Sequence, residues 1–411
     1  MILPVKAPSQ PAAQSTRRDD ILQRARALTP VLAARALEAE AKRQVPQMTL
    51  DAFRDAGLFR MLAPARVGGL ELDFQTLLET TAQLARGCAS SAWVLANLVS
   101  HSWMLGMWPK EAQDEIWGAD GSGGRVDARI AGSLIFPAGR ALAVDGGYRL
   151  SGRWPYSSGV DACAWSMLGG TVEGDEDNPG EYRIFLLPRS DYSVNDTWFA
   201  AGLAGTASKE VRTEEAFVPA HRALAVRDTQ GGTTPGSVLN PGPLYRVPVI
   251  ATAGHVIAGV VLGTAEGAIE HFAIEDRNRA SIFSGRAIKD IGSVQTSFSE
   301  ASASAEAARR LLVANAEEIM LLAGRTAAPS VQDKAKLRRD CAFATRLAVQ
   351  AVDLMFTALG GGALFLNHPL QRAFRDIHAA SAHIALNWVR AAQYYGKAAL
   401  GQVADIPPYE R

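Results

Sequence analysis

Seven histidines and a few hydroxyl side chains set among glycines are the residues of this sequence best suited to moving or holding protons. His101 stands in an otherwise apolar helical stretch, Trp93 to Trp108. Burial statistics favour a satisfied core histidine there, whereas an imidazole near its ordinary pKa can act as a general base. Ser158, in Ser157-Ser158-Gly159, is either a turn serine bonding its own backbone or a short hydroxyl offered to a ligand. Ser133, in Ala131-Gly132-Ser133-Leu134, allows the same two readings. His378 and His383 are five residues apart, which at helical period rotates one about 140° past a full turn from the other, so they are expected to have separate roles. Trp93, Trp103, Trp108, Phe136 and Trp165 are either ordinary core aromatics or the walls of a flat apolar pocket. The run Gly360 to Gly362 permits close backbone approach to a phosphate, or simply turns one helix into the next.

Other chemistry is absent or disfavoured. No Gly-x-Gly-x-x-Gly fingerprint follows a strand, so no nicotinamide-nucleotide domain is recognisable and reducing power is expected from elsewhere. Cys88, Cys163 and Cys341 are odd in number and never paired as C-x-x-C, which argues against disulfides and a zinc site and for a reducing cytoplasm. Metal is not expected. The 42 basic and 42 acidic residues cancel, leaving no field to draw the chain to nucleic acid or an anionic membrane. Residues 1–16 lack the apolar core of a signal peptide and read as a frayed tail. Ala251 to Ile269 is the nearest thing to a membrane span, but His255 and Glu266 interrupt it and its glycines suit tight helix contact better than lipid.

The elements that must position these groups follow the hydrophobic period. Residues 17–127 form a helical domain, with Ile21, Leu22, Ala25, Leu28 and Leu32 at helix spacing. Residues 128–225 switch to short β-favouring runs, Ala141 to Leu150, Ala164 to Val172, Tyr182 to Leu187 and Val211 to Val218, read as a barrel or sandwich. Residues 226–246 are a Gly- and Pro-punctuated linker, read as exposed and mobile. Residues 247–400 return to long helices broken near Gly324 to Pro329 and at Gly360 to Gly362, a four-helix bundle. The fold class is α+β.

That order, with Asp55-Ala56-Gly57-Leu58-Phe59-Arg60, Gly68-Gly69, Leu150-Ser151-Gly152-Arg153-Trp154, Gly205-Thr206-Ala207-Ser208-Lys209 and Arg375-Asp376-Ile377-His378, resembles the acyl-CoA dehydrogenase superfamily over most of the chain. Within it the sequence is similar to the oxygenase components of two-component flavin-dependent monooxygenases. Where many dehydrogenases carry a Tyr-Glu-Gly-Thr segment with the catalytic glutamate, this chain reads Ala382-His383-Ile384-Ala385-Leu386. The resemblance implies reduced FMN or FAD and dioxygen as co-substrates, a C4a-hydroperoxyflavin, and hydroxylation of a small phenol or indole. It implies a separate NAD(P)H:flavin reductase and a homotetramer in which a neighbouring subunit completes the flavin site. Carried over residue by residue, it places Ser158 beside flavin N5, His383 near the flavin, and His101 on the substrate hydroxyl as a base of near-neutral pKa. Ser133, Trp103 and Phe136 fall to the substrate, and Thr206, Ser208, Arg286 and Gly361 to the cofactor. One rival is an acyl-CoA dehydrogenase with bound FAD, its base moved to Glu266 or another bundle carboxylate; another is a non-catalytic protein on the same fold.

Overall fold

The helical period of the first hundred residues resolves into α1 (Ala12–Lys42), α2 (Gln47–Asp55), α3 (Phe74–Ala85), α4 (Ala89–Leu105) and α5 (Lys110–Trp117). The structure is a computed structural model that describes residues 12–118, 127–174, 180–281, 284–403 and 407. Asp73 opens α3 by accepting the Thr76 N–H at 2.8 Å, a side-chain N-cap. Helix α4 is buried on all sides, so His101 sits in the middle of the protein. Helix α1 takes in residues 12–16, which the sequence assigned to the tail; residues 1–11 lie outside the described residues.

The middle section is one mixed sheet of β1 (Ile130–Ser133), β2 (Gly139–Val144), β3 (Gly147–Ser157), β4 (Trp165–Val172), β5 (Glu181–Pro188), β6 (Ser193–Asn195), β7 (Lys209–Pro219) and β8 (Ala223–Ala225). The order is β6-β7-β3-β2-β4-β5-β8, with β1 parallel to β4 off that path. The single run expected from Ala141 to Leu150 is a hairpin, because Asp145-Gly146 turns it back with Gly146 at φ 73°. The β3–β7 register slips between Trp154 and Ser157, with Tyr156 at φ 68°. This bulge re-aims Ser157 and Ser158 relative to the strand.

Residues 226–246 are not a loose strap. Gly236 N donates to Met107 O at 2.9 Å, Asn240 Nδ2 donates to Gly106 O at 2.8 Å, and Thr234 with Ser237 makes a capping box. Gly and Pro punctuate this segment because it packs as successive tight turns, with Gly236 approaching the Gly106 carbonyl too closely for any Cβ.

The C-terminal layer comprises α6 (Val249–His271), α7 (Gly292–Ala323), α8 (Val331–Leu359), α9 (Pro369–Ser381) and α10 (Trp388–Ala399). The expected fourth long helix is divided into α9 and α10 by an irregular turn at 382–387. Two helical stretches, Val249–Asp276 and Val331–Leu364, are long and apolar enough to cross a membrane. The first is the buried core helix of the bundle, and its glycines meet backbone rather than lipid: a Cβ at Gly263 would stand 1.9 Å from Ala82 O on α3.

Candidate functional site

The sheet, α4 and the bundle enclose one cavity of about 1050 Å³. His101, Ser133, Trp103, Phe136, Ser158, Thr206, Ser208 and His383 all line it, although they come from all three layers of the chain. Arg286 and Gly361 do not. Arg286 donates to Asp290 O at 2.8 Å on the outside of the bundle, and Gly361 lies exposed in the turn after α8.

Three hydroxyls and an indole make a chain whose direction can be worked out. Thr206 Oγ1 donates its one proton to Leu203 O at 2.9 Å, so at 2.6 Å it accepts from Ser208. Ser208 has then given its proton away and, at 2.7 Å, accepts from Ser158. Trp93 Nε1 donates to Ser158 Oγ at 3.1 Å. Ser158 therefore has no proton left for a ligand and one lone pair unused, in a side chain that lines the cavity.

His101 and His383 have opposite tautomers. His101 Nδ1 faces Ile130 O at 2.9 Å, and a carbonyl can only accept, so Nε2 is the bare nitrogen. His383 Nδ1 accepts the Ala385 N–H at 3.2 Å, so its proton is on Nε2. Both are neutral at ordinary pH: burial pushes His101 down to about 4, and His383, crowded by protein though one face is open to the cavity, also to about 4. The near-neutral base expected at position 101 is thus corrected, because burial disfavours the charged imidazolium. A side chain at Gly132 would come within 2.7 Å of His101 Nε2, so glycine there leaves the nitrogen room. Ser133 gives its proton to Pro155 O at 2.8 Å and has only lone pairs to offer the cavity. Trp103 and Phe136 are wall residues, the indole N–H of Trp103 being held by Leu244 O at 2.8 Å.

Some of this was not legible in the sequence. His383 is not on a helix, since α9 ends at Ser381, and the face argument separating it from His378 does not apply. His378 also borders the cavity, with its Nε2 2.9 Å from Asp353 Oδ1. Trp93, read only as an aromatic wall, donates to Ser158 and packs edge-on against His383 at 5.8 Å. Arg375 and Asp376 clamp the loop that carries the hydroxyl chain: Arg375 Nη1 reaches Ala201 O at 2.8 Å and Asp376 Oδ1 accepts the Leu203 N–H at 2.6 Å. The clamp holds Leu203 and Ala207 at φ 51° and 47°.

The residue patterns of acyl-CoA dehydrogenase N-terminal and C-terminal domains match residues 17–120 and 255–388. The oxygenase subunit HsaA of a flavin-dependent monooxygenase from Rhodococcus jostii is 35% identical over 92% of this chain and 98% of its own length. The chain belongs to the oxygenase components of the flavin-dependent monooxygenases. An FADH2-dependent resorcinol hydroxylase oxygenase component from Rhizobium is 33% identical over 95% of this chain and 96% of its own. XiaF from Streptomyces, solved with FADH2 and glycerol, superposes with a TM-score of 0.87 at 27% identity, covering 96% of this chain and 98% of that one.

In this oxygenase the dehydrogenase alternative lacks its base. No carboxylate lines the cavity among the described residues, and Glu266 is bound by Arg309 at 2.6 and 2.7 Å and by Arg86 at 3.1 Å. The groups do fit a reduced flavin: N5–H is a donor, and Ser158 presents an acceptor with no competing proton. His271, Asp276 and His368 bring potential metal ligands together away from the cavity. There His368 Nδ1 accepts from Leu370 N, so its Nε2 carries the proton shared with Asp276 at 3.2 Å, and Arg279 adds a cation 3.6 Å from the carboxylate. That cluster is an ion-pair knot closing the end of α6.

The neutral buried histidines set a pH dependence of stability. Burial depresses the pKa of His101 to about 4 and of His255 to about 3, so below the unfolded value of about 6.5 the unfolded chain takes up protons that the folded chain refuses. Each then opposes folding by roughly 1.4 kcal/mol per pH unit. Asp376, lifted to about 6 by burial, works in the opposite direction as pH falls below that value. The expected result is a calorimetric unfolding midpoint that falls steadily as pH drops from about 6.5 to about 4, and that falls less in His255→Gln. A midpoint unchanged across that range contradicts the assignment.

Proposed function

We propose that this oxygenase receives reduced FMN or FAD from a separate NAD(P)H-dependent reductase and, with dioxygen, hydroxylates a small phenol- or indole-type ring. Reduced flavin, when bound, supplies the electrons that make dioxygen an oxygenating agent. The observation that carries the reading is the polarity of one shared cavity: a bare His101 Nε2 on one wall and a protonless Ser158 lone pair on another. His101 accepts the ring O–H or N–H and Ser133 offers a second lone pair beside it. Ser158 holds the flavin N5 proton, with Thr206, Ser208 and Trp93 fixing its orientation, and His383 Nε2–H serves as the donor of the site. The apolar walls, Trp103 and Phe136 among them, exclude the water that would divert the oxygen to hydrogen peroxide.

Arg286 and Gly361 are assigned to the flavin of a neighbouring subunit, which agrees with their outward position. A homotetramer is supported by Leu364, Phe365 and Leu366, each 65% exposed or more beside that turn, and by the apolar stretch of α8, much of which its own chain leaves uncovered. The test is to mix the protein with photoreduced FMN or FAD, isotope-labelled dioxygen and resorcinol, hydroxyphenylacetate or indole, and to look by mass spectrometry for a labelled hydroxyl on the ring. Stoichiometric hydrogen peroxide with no labelled product from any ring would count against the reading.

A further inference from the structure

Trp93, Asn97 and His101 stand four residues apart on α4, so they share one helix face, and all three line the cavity. Asn97 is the one residue of this helix that is not buried. Because the rest of α4 is enclosed, the space beside its side chain is the cavity itself. The orientation of the carboxamide is fixed by its neighbour. The Trp93 carbonyl can only accept, so the atom 2.8 Å from it is Nδ2, and Oδ1 is turned away. Ser100 Oγ, three residues on, donates to the Asn97 backbone O at 2.8 Å and not to the side chain. Oδ1 therefore has no partner among the described residues, yet unlike the sealed polar atoms elsewhere in the chain it keeps accessible surface. One amide N–H is spent on the helix; Oδ1 and the second N–H remain.

The place of this amide gives it meaning. One turn before it, Trp93 donates to Ser158 and packs against His383; one turn after it, His101 presents its bare Nε2. About 6 Å of helix rise separates Asn97 from each. A ring held at His101 with its reacting carbon toward Ser158 must lie alongside Asn97. A carbonyl oxygen and an N–H covered by that ring lose their access to water, which costs affinity unless the ring supplies partners. A hydroxyl supplies both, its proton to Oδ1 and a lone pair to the N–H. The side chains of Asn97 and His101 leave the helix about 5–6 Å apart, too far to serve groups on adjoining ring carbons.

We infer that Asn97 receives a second polar group on the substrate ring, separated from the group at His101 by at least one ring carbon, as in a 1,3-dihydroxybenzene. The inference rests on the aromatic hydroxylase reading and narrows it to rings with two hydrogen-bonding substituents. Two fixed points set the rotation of the ring in its plane, and so select the carbon that is oxygenated.

The experiment is an anaerobic calorimetric titration, with reduced FAD present, of resorcinol against 3-methylphenol, and of cyclohexane-1,3-diol against 3-methylcyclohexanol. The wild-type protein should bind resorcinol at least about tenfold more tightly than 3-methylphenol. In Asn97→Leu and in Asn97→Ala that ratio should fall toward one while the affinity for 3-methylphenol holds; a merely structural role would weaken both ligands alike and leave the ratio as it was. A diol preference seen only in the aliphatic pair, and lost in the variants, keeps the Asn97 site and removes the aromatic reading. No preference in either pair, an absence of binding included, or a preference that survives in the variants, overturns the site whatever the turnover experiment shows.

Discussion

His101→Ala should reduce hydroxylated product by about 100- to 10,000-fold, the range for loss of a positioned acid–base group, while dioxygen consumption continues and appears as hydrogen peroxide. The size of the effect follows from the tautomer. Ile130 O holds the Nδ1 proton, so the lone pair on Nε2 is the imidazole's only basic site. With the pKa pushed down to about 4, a phenol of ordinary pKa near 10 does not give up its proton on binding. The mismatch of about six units is about 8 kcal/mol. In the proposed reaction His101 therefore accepts a hydrogen bond at first and takes the proton only as the ring attacks and its O–H becomes acidic. Product formed by single turnover with excess reduced flavin is the readout. An unaltered yield would show that ring deprotonation is not assisted from this wall.

The second large effect is at Ser158. On the proposed reading Ser158→Ala removes the acceptor for flavin N5–H, and the fraction of reducing equivalents captured in product should fall about tenfold or more, the cost of one preorganised hydrogen bond in a dry site. The variant differs from His101→Ala in releasing peroxide faster even without a ring substrate. Ser208→Ala is the informative companion. It leaves Ser158 in place but takes away the group that receives its proton, so Ser158 can turn that proton into the cavity. Intermediate peroxide release in Ser208→Ala, measured by peroxidase-coupled assay, is expected. Wild-type coupling in both variants would detach the hydroxyl chain from the flavin.

The sequence carried the layered order because helical period and β alternation are local signals, whereas His101, Ser133 and Ser158 were singled out by what the family resemblance implies for their segments. Its failures were of three physical kinds. The Asp145-Gly146 turn was absorbed into a strand, and the turn at 382–387 was read as helix, because apolar residues on both sides conceal the interruption. The segment 226–246 was read as mobile from its glycines and prolines, whereas buried Asn240 and Gly236 anchor it to the end of α4. The role of Trp93 and the grip of Asp376 on Leu203 were out of reach because each joins residues far apart in the chain, 65 and 173 positions respectively.

The contact of α6 with α3 bears on catalysis at a distance. At Gly259, Gly263 and Gly267 the two helices meet backbone against backbone, and α3 in turn carries α4 with His101. Those three absent side chains act as a shim of zero thickness. A methyl group added there would lift the His101 wall off the bundle and, on the proposed reading, widen the slot that keeps ring and flavin in register, so that positions touching neither reactant would gauge the geometry of oxygen transfer.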